Sequence, residues 1–399
     1  MSVNKELNYA FALSRQCLRI LGTWPDPHIS LNDFRRKLRF TIVLSIISLY
    51  VFLPQIINTI RAWGNVTVMV EQIAAANLSV MAFCKLAVTR YHGKTLQSLM
   101  SSIMTDWATT KSKRERATMM KMAKRGRSLS FKCYISATCT ISFYICFNLL
   151  RFFRNLHQPQ RRLVYHFTYP YSIQKSPNYE ITFFIQLVGG TYTVFTNCTI
   201  DSFVSILLLH VCAQLINLRL TLNKLVDEMA NKSISSSKFK KRLTAIVMRH
   251  RDLIRHAKTI DNCYSAVLFI HMVAATFQLC FETFQIFTKI TDKNAEASKI
   301  KLAFLVSYVS YVLAPLYTYC YSAERLLAES TGMAYGVYEC KWYDLPSKDA
   351  KDLMFIIHRS MIPLKLTAGK FAVFSLELFG AVVKTSMGYL SALLTMKDQ

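Results

Sequence analysis

Chemistry needs polar side chains at defined spacing, and this 399-residue chain offers few. Its nine histidines are dispersed, and His250 and His256 fall on different faces of any helix. The eleven cysteines form no Cys-x-x-Cys pair and no zinc-ribbon spacing, so neither a metal site nor a disulfide framework is expected. No Gly-x-x-x-x-Gly-Lys, His-Glu-x-x-His or Gly-x-Ser-x-Gly occurs. No enzyme activity and no cofactor are therefore expected. Charged residues within apolar sequence are the remaining candidates: Asp201, Glu282, Glu377 and Lys384, the first two read as span ends. That is thin for proton-coupled transport. A transporter would also show an inverted repeat or paired half-helices, and neither stands out.

What must position these residues is a set of apolar helices. Hydrophobic residues make up 52% of the chain and charged residues 18%, against about 25% charged in ordinary soluble proteins. A bilayer crossing takes about 20 mostly apolar residues. Phe40–Ile60, Cys133–Leu150, Ile181–Ile200, Asn262–Phe281 and Leu302–Ala323 are free of charge. Val66–Leu86 holds Glu71 and Lys85 near its ends, where both are expected to snorkel. Phe371–Met396 contains Glu377 and Lys384. The expectation is an all-α membrane protein with seven transmembrane helices. The first six are placed at about 40–60, 66–86, 133–150, 181–212, 262–286 and 302–323, within a unit of residues 1–323.

Charge sets the orientation. Lys and Arg exceed Asp and Glu by 26, and 37 of the 49 basic residues fall on the N-terminal side of the alternating loops, with 11 on the other side. The positive-inside rule then puts the N-terminus in the cytoplasm and the C-terminus outside. That is opposite to a G-protein-coupled receptor, and Asp-Arg-Tyr and Asn-Pro-x-x-Tyr are missing. The first forty residues lack the apolar core of a signal peptide. The basic helices Lys111–Lys132 and Lys238–Lys258 read as solvated stems, with contact to anionic lipid as the competing reading. No nucleic-acid partner is expected.

Two outer features have two readings each. The loop Tyr165-His166-Phe167-Thr168-Tyr169-Pro170-Tyr171 with Ser176-Pro177-Asn178-Tyr179 either caps a pocket or packs on the bundle. Asn65-Val-Thr67 is a glycosylation sequon or a chance triplet. Gly189-Gly190 marks a kink or a close helix approach. After Pro346, Leu353, Ile356, Ile357, Ser360, Met361 and Leu364 recur at helical spacing, an amphipathic segment too short and polar to span.

The C-terminal eighty residues carry a specific pattern. Ala334-Tyr335-x-x-Tyr338-x-x-x-Trp342-Tyr343-x-x-Pro346 is followed by His358-Arg359-Ser360-x-x-Pro363 and Ala368-Gly369-Lys370-Phe371. Then come Ser375-Leu-Glu377-x-Phe379 and Lys384-Thr-Ser-Met-Gly-Tyr389. This order resembles the C-terminus of insect odorant receptors, and Gly22-Thr-Trp24-Pro25 and the Tyr169-Pro170 loop extend the likeness more weakly along the chain. The gustatory receptors of the same superfamily are the alternative, and Gly388-Tyr389 departs from their last-helix pattern. A metabotropic seven-span receptor is a third reading, less favoured by the orientation.

The resemblance implies a tuning subunit that forms a heterotetramer with the odorant co-receptor. The assembly would be a ligand-gated, non-selective cation channel in the plasma membrane, as in olfactory neuron dendrites. It implies that the seventh helix is split. A cytoplasmic anchor region then covers residues 324–368, its helix at 346–365, and a pore-lining span covers 369–396. A small apolar odorant would bind between helices in the outer half of the bundle. Candidate ligand contacts are Ile73 and Asn77, Phe143, Tyr144 and Phe147, Phe183, Phe184 and Leu187, and Tyr308 and Tyr311. For each, ordinary helix packing is the competing reading. At the outer mouth, Ala392, Thr395 and Met396 are the candidate pore and gate residues.

Overall fold

The computed structural model describes residues 3–30, 32–61, 66–155, 161–165, 167, 169, 171–291 and 295–397. Asn65 lies outside them. Eleven α-helices follow in chain order among the described residues: α1 (Val3–Ile20), α2 (Phe34–Ile47), α3 (Leu53–Arg61), α4 (Val66–Tyr91), α5 (Gly93–Thr109) and α6 (Lys113–Asn155) come first. Then come α7 (Asn178–Ala230), α8 (Ser236–Thr291), α9 (Ala295–Glu339), α10 (Ser347–Ser360) and α11 (Leu376–Lys397). The one departure from all-helical structure is an antiparallel pair, β1 (Thr367–Ala368) and β2 (Ala372–Val373). Five stretches among the described residues are long and apolar enough to cross a membrane: Phe34–Arg61, Lys113–Arg154, Asn178–Ala230, Ser236–Ile286 and Leu302–Glu339.

The helix α7 is the axis of the bundle. It is apolar around its whole circumference, the signature of a helix enclosed by protein, and α2, α4, α6, α8 and α9 all pack on it. Gly189 and Gly190 allow close approaches to α7. A Cβ on Gly189 would lie 2.7 Å from Val51, and one on Gly190 would run into the hydroxyls of Tyr144 and Tyr165. The glycine pair therefore marks close approach. Polar side chains join the apolar helices, as in many membrane bundles. Thr140 on α6 bonds to Ser307 on α9 at 3.1 Å, and Cys133 bonds to Thr318 at 3.3 Å.

Prolines shape two spans. Pro54 has no N–H to give the Tyr50 carbonyl four residues back, and the chain there widens into a π-helical turn, Ser48–Phe52. The Tyr169 hydroxyl of the outer loop takes up that carbonyl at 3.1 Å. The loop packs on the bundle over a second apolar cluster, Phe152, Leu163, Val164, Tyr179, Phe183 and Leu187. Pro315 sits inside α9 and likewise cannot donate to Tyr311.

Asp106 on α5 is buried and meets His210 of α7 at 3.1 Å and Arg249 of α8 at 2.6 Å. Burial alone would raise its carboxyl pKa. The hydrogen bond and charge of His210 and the charge of Arg249 outweigh that and hold it below the ordinary carboxylate value. Arg219 reaches Glu329, and Gly336 is glycine because a Cβ would come within 2.6 Å of the Arg219 stem.

In α10, Asp349, Leu353, Ile356 and Ser360 form the buried face. Met361 does not share it: the helix ends at Ser360, and Met361 is 67% exposed. The expected anchor helix 346–365 is thus shorter. The last helix begins at Leu376 rather than at 369, because Gly369 and Lys370 take positive φ and turn the chain into the hairpin. Thr367 ties the hairpin to Asp261, its backbone N–H donating at 2.6 Å.

Candidate ligand cavity and a two-faced last helix

Four helices enclose a cavity near the middle of the bundle. The walls are Leu78 and Met81 of α4, Ala274 and Ala275 of α8, and Val312 and Pro315 of α9. The polar lining is Asn197 and Asp201 of α7, His271 and Gln278 of α8, and Tyr311 of α9. The enclosed space is about 20 Å³, room for about one water molecule.

An ion pair forms its polar end. Lys85 Nζ lies 2.6 Å from Asp201 Oδ1, with the two side chains 1% and 0% exposed. Tyr319 donates its hydroxyl to the same oxygen at 2.6 Å. Lys85 also faces His271 Nδ1 at 3.4 Å. Lys85 is therefore not snorkelling, and Asp201 does not sit at a span end. Each charge is stable there because the other neutralises it, at the cost of desolvating both. The Asn197 amide nitrogen donates to the carbonyls of Leu78 and Thr193, both at 3.1 Å. Asp201 Oδ2, Asn197 Oδ1 and His271 Nε2 are buried with no protein partner.

The expected ligand residues divide. Tyr311 lines the cavity, and Tyr308 stands one hydrogen bond away, accepting from the Gln278 amide at 2.8 Å. Asn77 spends its amide on the Ala274 carbonyl at 3.1 Å, holding α4 to α8. Tyr144, Phe183 and Leu187 do not reach the cavity. They belong to the outer cluster beneath the loop, Tyr144 donating to Tyr165 at 3.1 Å. Phe184 faces outward, and Phe143 and Phe147 are half-buried without lining the cavity. The side chain of Ile73 lies outside the described residues. Sequence reasoning missed Asn197 and His271, and it named Asp201 only as a charge at a span end. The signal that could have found them was two opposite charges, Lys85 and Asp201, in separate apolar stretches.

The helix α11 has two faces. Val382 and Ser386 are buried, and Ser386 donates to the Thr276 carbonyl of α8 at 3.1 Å. On the opposite side Glu377, Ala381, Lys384, Gly388, Ser391 and Thr395 recur at three- and four-residue steps, and all are exposed. Thr395 donates to the Ser391 carbonyl at 3.0 Å. The side chains of Ala392 and Met396 lie outside the described residues.

A bundle whose central helix is wrapped by five others, with an enclosed cavity and a peripheral two-faced helix, has known counterparts. The family model described as 7tm Odorant receptor matches residues 65–387. The chain belongs to this odorant receptor family, whose members are receptors of olfaction in membranes and not enzymes. It is 25% identical over 346 residues to Odorant receptor 13a of Drosophila melanogaster, spanning 83% of this chain and 80% of that one. It is 31% identical over 152 residues to the Odorant receptor coreceptor of the same fly, spanning 38% of this chain and 30% of that one. The fold matches the insect olfactory receptor OR5 from Machilis hrabei in complex with eugenol. The TM-score is 0.81 at 16% identity, covering 97% of both chains.

Proposed function

We propose that the protein is the odorant-tuning subunit of a ligand-gated, non-selective cation channel, assembled as a heterotetramer with the odorant co-receptor. The single observation that carries the channel reading is the two-faced α11. Among its described side chains, the packed stripe on α8 leaves every charged or hydroxyl group but Ser386 on uncovered surface. Four such faces around an axis would make a wet pore wall. The likeness of 152 residues to a co-receptor supports a shared assembly surface. So does the exposed apolar rim of Tyr335, Tyr338, Tyr343, Phe355 and Phe371.

The odorant would bind in the cavity beside Tyr311 and Tyr308, a small ligand held mainly by burial of apolar surface. The relative OR5 is known in complex with eugenol, a small molecule of that kind. In this reading α4 and α11 complete seven spans, the N-terminus is cytoplasmic, the C-terminus is extracellular, and residues 324–368 are the cytoplasmic anchor. The protein then resides in the plasma membrane of a sensory neuron.

Odorant-evoked current recorded with and without the co-receptor tests this, together with epitopes at both termini. Cation current that needs the co-receptor is expected, with a C-terminal epitope labelled on intact cells and an N-terminal one hidden. Odorant responses that persist only through a second messenger, or the reverse labelling, would sink it.

A further inference from the structure

The polar end of the cavity has a donor and acceptor pattern that selects a ligand. We propose, resting on the odorant-receptor reading above, that this chain is tuned to neutral hydroxyl-bearing molecules, small alcohols or phenols, through Asp201, Asn197 and His271. Each of the three has a buried polar atom without a protein partner, and all three side chains line the one cavity.

Their roles follow from their fixed neighbours. Asp201 Oδ1 is taken by Lys85 and by the Tyr319 hydroxyl, which leaves Oδ2 as an acceptor. The two bonds from Asn197 Nδ2 to backbone carbonyls fix the amide, which leaves Oδ1 as a second acceptor. An ammonium has only hydrogens to offer, so His271 Nδ1 facing Lys85 must accept. The neutral ring then carries its proton on Nε2, which donates. These three atoms thus present two acceptors and one donor, with the Tyr311 hydroxyl, able to give or accept, beside Asn197.

A hydroxyl group has one hydrogen to give and two lone pairs to receive. It suits both kinds of partner. A ketone, ester or ether only accepts, and leaves both acceptors bare; a hydrocarbon leaves all three. Charged ligands are disfavoured, because Lys85 already cancels Asp201 and a desolvated ligand charge would find no net partner. Apart from the Gln278 amide and the Tyr311 hydroxyl, the rest of the lining is apolar and suits the carbon skeleton. The space of about 20 Å³ holds the hydroxyl head only. Met81, a flexible thioether, is the side chain that yields to the carbon chain behind it.

The test uses isomer pairs, equal in formula and differing in the hydroxyl: hexanol against pentyl methyl ether, and benzyl alcohol against anisole. Each is applied to the channel expressed with its co-receptor. The alcohol is expected to act at lower half-maximal concentration by on the order of tenfold to a hundredfold, because a site built to bond a hydroxyl rejects the analogue lacking it. In Asn197→Leu and His271→Phe, and in the double variant, the ratio within each pair should fall to about threefold or less. That ratio is internal to each channel, so a drop in surface expression does not affect it. Equal potency within both pairs in the wild type would overturn the proposal. So would an undiminished ratio in the double variant. Thermal stabilisation of the purified chain in lipid nanodiscs by the same pairs separates this from the channel reading. Stabilisation by the alcohols alone, with no current, would sink the channel and keep the hydroxyl site; no preference in either measurement would sink the site.

Discussion

Lys85 and Asp201 are each forbidding alone in an apolar bundle and tolerable together. Their contact at 2.6 Å, with both side chains almost fully buried, makes the pair far more sensitive to losing one member than to losing both. Lys85→Met should destabilise the bundle by about 3–5 kcal/mol, since it leaves an uncompensated carboxylate. Adding Asp201→Asn should restore much of the loss, because the amide is neutral and can still accept from Tyr319. Melting temperatures of the purified variants check this, and a double variant no better than the single one would refute the coupling. The two tyrosines of α9 differ in the same local way. Tyr311→Ala removes a cavity wall, and the half-maximal odorant concentration should rise roughly 5- to 150-fold. Tyr308→Ala acts through the released Gln278 amide and should shift it less. Unchanged dose–response curves for both variants would place the ligand elsewhere.

Small side chains let α7 approach its neighbours, and the carbonyl freed by Pro54 is taken up by the outer loop. Gly190 faces Tyr144 and Tyr165, and Gly189 faces Val51, so α7 comes close to its neighbours at this pair. Gly190→Ala would drive a methyl into two ring hydroxyls that already bond to each other at 3.1 Å. Overpacking of this kind costs about 1–3 kcal/mol. The outer loop should loosen first, because Tyr165 also bonds to Gln186 through its backbone N–H at 3.1 Å. Faster hydrogen exchange over residues 161–165, at unchanged exchange in α5, is the expected outcome. Uniform loss of protection along the chain would mean that the glycine serves the whole bundle.

For the molecule as a whole, the described surface of α11 separates a channel from a receptor that signals without a pore. If α11 lines a conduction path, Ala392→Glu should alter cation permeability ratios or divalent block by a few-fold, one subunit's carboxylate making an incomplete ring. Odorant rank order should stay the same, since the cavity lies among α4, α7, α8 and α9 and not on α11. Altered ranking at wild-type ion selectivity in properly expressed channels would show that α11 serves the pocket instead. The exposed aromatic rim around α10 belongs to the same scale: Tyr335, Tyr338 and Phe355 are each two-thirds exposed or more. A lone chain leaves that much apolar surface uncovered when a partner is to bury it.

The amino-acid sequence was enough for the helical membrane class, because runs of about 20 apolar residues between charges are a local property. It was enough for the family too, through the ordered tyrosines, prolines and glycines after residue 324. Within that stretch, Gly336 has a visible cause in the Arg219 stem lying against it. That Tyr308 and Tyr311 share one face of α9 was also legible from their three-residue spacing, and of the two Tyr311 lines the cavity. Only the tertiary structure decided the rest of the cavity. Lys85 and Asp201 are 116 positions apart, and nothing local distinguishes a lysine that snorkels from one that meets a carboxylate. The aromatic residues of α6 and α7 looked like pocket walls because burial and ligand contact favour the same residue types. Which of them faces a cavity depends on helix rotation, and packing against α8 and α9 sets that rotation. The start of α11 depended likewise on a long-range tether, Thr367 held by Asp261, that turns the chain into a hairpin where hydropathy alone would continue the span.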